Sequence, residues 1–102
     1  MRKLFITITG TDFKYGSEFL KGGMEVKLVK EPDNKYDSEA IRVELKPLGT
    51  IGYVANSTRT VLGNCYSAGR LYDKIGNKAK ATILFVASER IIAKVKKSNK
   101  NK

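Results

Sequence analysis

The sequence predicts a small, mostly antiparallel β-barrel or curled sheet of about six short strands, with a helix plugging one end. Three observations predict this class. Apolar and polar residues alternate with the period of a strand in several separate stretches. Gly, Pro, Asp and Asn separate these stretches at short intervals. No helical pattern alternates with the strands, as a parallel βαβ arrangement would require.

Each predicted element has its own local signal. The first strand covers residues 2–9 and the second covers 24–30, each with aliphatic residues on one face. Pro32 has no N–H to donate to a ladder, so the second strand ends there, and Asp33 and Asn34 supply turn chemistry. The remaining strands are predicted over residues 40–45, 50–54, 79–87 and 90–95.

One helix is predicted between the fourth and fifth strands. Asn56 or Ser57 is a suitable N-cap, because either side chain can accept a hydrogen bond from the first helical turn. The apolar residues that follow lie on one helical face, at spacings i, i+1 and i+4: Val61, Leu62 and Cys65. The helix is expected to end near Gly69, and residues 70–76 are expected to form a connection to the next strand.

Length and charge indicate one basic domain with a basic tail. The chain has 102 residues, enough for one ordinary domain, which we expect over residues 1–95. Residues 96–102 are predicted to be disordered. The formal net charge is +10, and five lysines within 94–102 supply half of it, which leaves +5 for residues 1–93. A basic body favours polyanionic partners, either nucleic acid or an acidic membrane surface.

The sequence also predicts an intracellular, reducing environment. No apolar run approaches the roughly 20 residues that span a bilayer. The stretch Leu4–Thr9 is too short and too polar for a secretory signal. Cys65 is the single cysteine, so an internal disulfide is excluded. We therefore expect a cytoplasmic protein, with association with the nucleoid as a further option.

Composition argues against an enzyme and against a bound cofactor. The chain has no histidine, the commonest general acid or base and the commonest neutral metal ligand. It has no nucleophile elbow and no phosphate-binding glycine loop. Cys65 has no basic neighbour to activate it, so we expect it to pack in the core. Asp33 and Asp37 keep open a metal-dependent, nuclease-like activity, although their spacing matches no calcium loop.

The polar segment 31–39 lies between two strong strands and is the main candidate for a binding site. Tyr36 lies in it, and Phe13 and Tyr15 lie in another loop after a strand. Aromatic rings on the loops of a small basic barrel are suited to stacking on the bases of single-stranded nucleic acid. The nearby lysines that can hold phosphates are Lys14, Lys30 and Lys35.

An acidic residue in such a site repels phosphate, but it suits the end of a strand. A terminal hydroxyl donates a hydrogen bond, and a carboxylate can only accept one. Asp37 is therefore a candidate receptor for a free 3′-hydroxyl. It would disfavour a 3′-phosphate or a continuing backbone, so that repulsion contributes to specificity.

The segment Glu31–Val43, followed by Ile51–Val54, resembles the HIRAN domain. The resemblance extends over roughly residues 4–95. It implies an OB-like β-barrel that binds single-stranded DNA with the free 3′ end in a pocket. HIRAN domains occur attached to helicases and as free-standing bacterial proteins. The resemblance therefore implies that any helicase or nuclease activity belongs to a separate partner protein.

The resemblance assigns roles to residues of the two loops. By position, Asp37 matches the acid that receives the 3′-hydroxyl, and Tyr36 and Phe13 match aromatics that contact the terminal bases. Phe13 stands where members of the family carry a tyrosine. Asp33 and Asn34 match a polar pair that is usually amide-like.

Two positions depart from the family pattern. Asn56 and Asp12 stand where basic, phosphate-binding residues are found, which weakens the grip on phosphate unless other cations compensate. These departures motivate a second hypothesis, a protein-interaction or accessory module that kept the barrel and lost the DNA pocket. The predicted nucleic-acid-binding residues are Phe13, Lys14, Tyr15, Asp33, Asn34, Lys35, Tyr36, Asp37, Tyr53, Asn56 and Arg59.

Overall fold

A computed structural model describes residues 4–10, 20–57, 60–61, 63, 65–87 and 90–96. Within these ranges the chain forms six strands and one short helix. In chain order they are β1 (Leu4–Thr9), β2 (Glu25–Glu31), β3 (Ala40–Leu45), β4 (Gly49–Val54), α1 (Ala68–Tyr72), β5 (Lys78–Ala87) and β6 (Arg90–Val95).

The strands close into a barrel in the order β1-β4-β3-β2-β5-β6, and β6 pairs with β1. Every pairing is antiparallel, so the predicted fold class is confirmed. The second to sixth strands begin and end within a residue of their predicted bounds. Where β1 extends beyond its pairing with β4, the Ala55 and Tyr66 N–H groups donate to the carbonyls of Thr7 and Phe5.

The core is the interior of the barrel, filled by one face of each strand. Side chains at alternate positions point inward, which is the geometry that the sequence alternation predicts. Full burial of one such side chain stabilises the fold by about 1.5–3 kcal/mol. The isoleucines and leucine that are fully buried on the strands are Ile6, Ile8, Leu28, Ile41, Ile51, Ile83 and Ile91.

The helix α1 packs on the barrel through Ala68 and Leu71, both fully buried. Ser67 is its N-cap, since the Ser67 hydroxyl accepts from the Arg70 N–H at 3.2 Å. Ile75, just beyond the helix, is also buried and extends the apolar contact with the barrel. None of the described helices is both long and apolar enough to cross a membrane.

The prediction of a helix from Asn56 or Ser57 to Gly69 is wrong. The N–H groups of Thr60 and Val61 donate to the Ser57 carbonyl in a turn, and the helix begins only at Ala68. Gly63 adopts a φ of +50°, which interrupts a right-handed helix. The three apolar positions of this segment were too few to specify a helix. One of them, Cys65, is buried as predicted.

A β-bulge interrupts the pairing of β5 with β6 between Ile83 and Phe85. The extra residue breaks the alternation, so Leu84 and Phe85 are both exposed. The chain before β2 crosses this point closely, and the Gly23 N–H donates to the Ile83 carbonyl at 2.7 Å. A Cβ at Gly22 would lie 2.9 Å from the Leu84 carbonyl oxygen, so this crossing requires glycine.

Candidate nucleic-acid interface

The connection between β2 and β3, residues 32–39, is built around the side chain of Asn34. Its Oδ1 accepts from the N–H groups of Tyr36 at 2.9 Å and Asp37 at 3.1 Å. Its Nδ2 donates to Glu31 Oε1 at 2.9 Å. An Asx side chain that satisfies nearby backbone in this way replaces the hydrogen bonds of regular structure. Asn34 therefore sets the path of the backbone through the two residues that follow it.

Glu31 anchors this connection to the outer face of the sheet. Its carboxylate lies 3.3 Å from an Arg42 guanidinium nitrogen and 3.1 Å from the Tyr53 hydroxyl, which donates to it. Arg42 and Tyr53 are paired across β3 and β4, so the register of the barrel places them together. Arg42 Nε also donates to Glu44 at 2.6 Å, which fixes the guanidinium from a second side.

The protonation behaviour of this cluster follows from its contacts. Partial burial raises the pKa of Glu31, but hydrogen bonds from Asn34, Arg42 and Tyr53 outweigh burial and hold the pKa below its ordinary value of 4.5. Burial and the neighbouring Glu31 carboxylate raise the pKa of Tyr53. The hydrogen bond to Glu44 raises the pKa of Arg42. At neutral pH the cluster therefore holds an ionised Glu31 beside a charged guanidinium.

Tyr36 combines a fixed backbone with a fully projecting ring. Its N–H is held by Asn34, and its side chain is 96% exposed. A singly exposed aromatic residue is ordinary on a protein surface, so Tyr36 is a binding candidate because it adjoins Asp37, whose carboxylate is held at both oxygens. Its exposure leaves the ring available on both faces, which is the condition for stacking on a base.

Asp37 is held at both carboxylate oxygens. Oδ1 accepts from the Glu39 N–H at 2.9 Å, and Oδ2 accepts from Asn56 Nδ2 at 2.9 Å. Asn56 Oδ1 in turn accepts from the Gly69 N–H at 2.8 Å, in the first turn of α1. Asn56 thus links the loop after β2 to the helix, and each Asp37 oxygen keeps a further lone pair for a ligand.

A pocket of about 300 Å³ lies on the helix side of this link. Arg70, at its edge, lies with its guanidinium 4.5 Å from the centre of the Tyr66 ring, a cation–π contact that orients it. The sequence gives no local signal for Arg70, because the pattern of residues 70–76 predicts only a connection. The residues that line the pocket are Asn56, Val61, Gly63, Cys65, Ser67 and Arg70.

The structure brings together four of the residues proposed from sequence: Asn34, Tyr36, Asp37 and Asn56. Tyr53 joins them indirectly, through Glu31. Asp33 and Lys35 are exposed on the same loop. The other proposed residues, Phe13, Lys14, Tyr15 and Arg59, lie outside the described residues, and of the predicted tail, 96–102, only Lys96 is described.

Sequence reasoning missed Glu31, Arg42 and Glu44 as supports of this site. One local signal existed for Glu31, since Asn34 follows three residues later and can reach it across a turn. The involvement of Arg42 depends on strand register and had no local signal. Among the residues that the structure describes, no group of three or more His, Cys, Asp or Glu side chains is arranged to hold a metal ion.

Comparisons with known proteins bear on the whole chain. The family model described as the HIRAN domain matches residues 1–95. A crystal structure of the HIRAN domain of human HLTF is similar in fold, with a TM-score of 0.61 and 18% sequence identity. That match covers 97% of this chain and 78% of the human domain. No curated protein sequence matches significantly.

Proposed function

This chain belongs to the HIRAN family, known as a family of DNA-binding modules, and on that premise we propose that it binds single-stranded DNA and receives a free 3′-hydroxyl end at Asp37. One observation carries the proposal: a carboxylate held at both oxygens lies next to a projecting aromatic ring. Such a pair can accept a terminal hydroxyl and stack on the base of the same nucleotide.

The chemistry of Asp37 supports selection for a hydroxyl over a phosphate. Its two oxygens already accept from Glu39 and Asn56, and the remaining lone pairs can accept only from a donor. A 3′-hydroxyl is such a donor. A 3′-phosphate is mostly doubly ionised at neutral pH, so it has little proton left to donate, and its negative charge would be repelled by the carboxylate.

Tyr36 supports affinity for the terminal base. Its backbone is held by Asn34, so little backbone conformational freedom is lost when the ring stacks. Stacking on an aromatic ring is tolerant of base identity, because every base has a π-face. We therefore propose binding with little sequence preference, and we assign Tyr53 and Glu31 to positioning the loop.

Asn56 stands where the family pattern has a basic residue, and Arg70 can supply the positive charge that Asn56 lacks. Both residues line the same pocket, so Arg70 can contact a phosphate that Asn56 cannot neutralise. Its contact with Tyr66 orients the guanidinium in advance, and a guanidinium can bind phosphate through two hydrogen bonds. Lys35, the exposed residue that precedes Tyr36, is a second candidate for phosphate.

Fluorescence anisotropy with labelled oligonucleotides that differ only in a 3′-hydroxyl or a 3′-phosphate tests the proposal. A hydrogen bond to a charged group contributes about 1.5–3 kcal/mol, so we expect the hydroxyl end to bind about 10- to 150-fold more tightly. Asp37→Asn should remove most of this preference, and Asp33→Asn, a matched change of charge in the same loop, should keep it.

Equal affinity of the unmodified protein for the two ends would overturn end recognition. A folded Asp37→Asn variant that keeps the full preference would assign recognition to another residue. Absence of binding to either oligonucleotide at low salt would reject DNA binding and leave the accessory-module hypothesis standing.

A further inference from the structure

We propose that the outer surface formed by the beginning of β2, the end of β3 and the adjoining positions of β5 and β6 is a second nucleic-acid contact, which binds phosphates independently of a strand end. The inference extends the proposed DNA-binding function to a different part of the barrel. Its central residues are Lys27, Lys80 and Lys96, with Lys46 beside them. We call this surface the lysine groove.

The lysine groove lies away from the candidate end-binding loop. It is lined by the beginning of β2 and the end of β3, whereas the loop joins the end of β2 to the beginning of β3. Lys27 and Glu31 are four positions apart on one extended strand, which separates them by about 13 Å. A nucleic-acid chain in the groove would therefore contact different atoms from those at Asp37.

Three lysines lie side by side across the sheet. Lys27 on β2 is directly opposite Lys80 on β5. On the other side of β5, the Lys96 N–H donates to the Lys80 carbonyl at 2.8 Å, so Lys96 continues the row. Like charges placed directly opposite one another destabilise a sheet. Glu44 lies opposite Lys27 on β3, and Glu25 pairs with Lys96, so these two carboxylates offset part of the repulsion and leave the lysines of this surface with a net positive charge.

The groove has a volume of about 330 Å³, and its two carboxylates offset only part of the charge of its lysines. Glu44 is held by Arg42 at 2.6 Å, and Glu25 is held by Lys96, with Lys80 further off at 4.0 Å. Lys27 and Lys46 form no ion pair with any part of the chain that the structure describes. The residues that line the groove are Glu25, Val26, Lys27, Glu44, Leu45, Lys46 and Lys80.

The chemistry of lysine indicates what kind of contact this surface makes. An ammonium on a flexible stem acts as a point charge, and it suits phosphates whose positions vary along a strand. Such contacts hold the backbone and read no sequence. A concave, positively charged groove also fits an extended polyanionic chain better than a flat surface would. The groove is thus suited to hold the strand whose end the Asp37 site would recognise.

A circularised single-stranded oligonucleotide isolates this surface, because a circle has no 3′ end. We would measure its affinity for three proteins as a function of salt concentration. The test variant is Lys27→Gln/Lys80→Gln, and the control is Lys21→Gln/Lys74→Gln, two exposed lysines outside the groove. Both variants lower the net charge by the same amount, so a general charge effect would appear equally in both.

Each phosphate contact on a single strand contributes about 0.7 to the slope of log affinity against log salt. We expect the test variant to lose about 1.4 from this slope, and the control variant to match the unmodified protein. Between roughly 50 and 200 mM salt, the unmodified protein should then lose about sevenfold more affinity than the test variant does.

Equal slopes for the two double variants would overturn the proposal, and so would failure of the unmodified protein to bind the circle. Neither result would affect end recognition, which is measured on linear oligonucleotides. Conversely, equal affinity for linear 3′-hydroxyl and 3′-phosphate ends would reject the Asp37 site and leave binding of the circle as an independent result.

Discussion

At the loop after β2, the ionised Glu31 has fixed partners on three sides, whereas Lys27 and Lys80 face each other across β2 and β5 with the same charge. The first arrangement fixes positions: Asn34, and through it Tyr36 and Asp37, depend on Glu31 for their geometry. The second leaves charge available to solvent. The same barrel can therefore place specificity and affinity in different regions. Fixed groups in the loop would select the end of a strand, and the available charge of the lysine groove would add affinity for its backbone.

Truncation of Tyr36 should have the largest effect, and it tests whether the fixed loop contributes to binding. Loss of stacking costs about 1–3 kcal/mol, so Tyr36→Ala should weaken binding of a linear 3′-hydroxyl oligonucleotide by about 5- to 150-fold. Tyr36→Phe keeps the ring and should bind nearly as well as the unmodified protein. Anisotropy titrations measure both; unchanged binding by Tyr36→Ala would exclude a stacking role.

Neutralisation of Glu31 tests whether the loop depends on its fixed charge. Hydrogen bonds to a charged group contribute more than neutral ones, so Glu31→Gln should lower the free energy of unfolding by about 1–2 kcal/mol. Glu39→Gln, a change at an exposed acid of the same loop, should have little effect. Denaturant titrations at neutral pH measure both values. A Glu31→Gln protein as stable as the Glu39→Gln control would show that the charge of Glu31 does not stabilise the loop.

The Glu31 carboxylate should also make the stability of the folded protein depend on pH, with a definite sign. The pKa of Glu31 in the folded protein lies below its ordinary value of 4.5, so its contribution to stability is present above that pH. The contribution is lost as the pH falls through the folded value, because the carboxylate becomes protonated. Glu31→Gln should therefore lose less stability than the unmodified protein between neutral and acid pH; parallel curves would contradict the assignment.

The smallest expected effect lies in the lysine groove and concerns stability alone. Lys27→Gln removes the like-charge pair with Lys80. It loses little attraction to Glu44, which lies opposite on β3 but is held by Arg42, so the free energy of unfolding should rise by about 0.2–1 kcal/mol. Lys21→Gln, at an exposed position outside the groove, provides the matched control. Thermal unfolding at low salt measures the difference, and high salt should reduce it. If Lys27→Gln destabilised the protein relative to Lys21→Gln, Lys27 and Lys80 would not repel each other in the folded protein.

Sequence reasoning succeeded where the physical signal is local. Alternation specified the strands, because each strand buries one face, and Pro32 marked where β2 stops. The polar loop was found because Tyr36 is an aromatic residue that no core position explains. The role of Asp37 came from the resemblance to the HIRAN domain, because periodicity alone does not assign a ligand to a side chain.

The features that sequence reasoning missed depend on neighbours far apart in the chain. Glu31, Arg42 and Tyr53 meet only because of the register between β2, β3 and β4. Lys27 and Lys80 likewise become opposite only when β2 pairs with β5. The helix was misplaced for a related reason: Ser67 caps α1, and the residues that the helix buries are selected by the barrel surface.

Closure of the barrel has a consequence for association between copies of this domain. β1 bonds to β4 and β6, and Ala55 and Tyr66 cover its remaining carbonyls. Each described strand therefore has a neighbouring strand on both sides, which leaves little edge on which a second chain could add a strand and begin aggregation. Recognition of partners then falls mainly to side chains and loops, and edge-to-edge polymerisation at high local concentration is disfavoured.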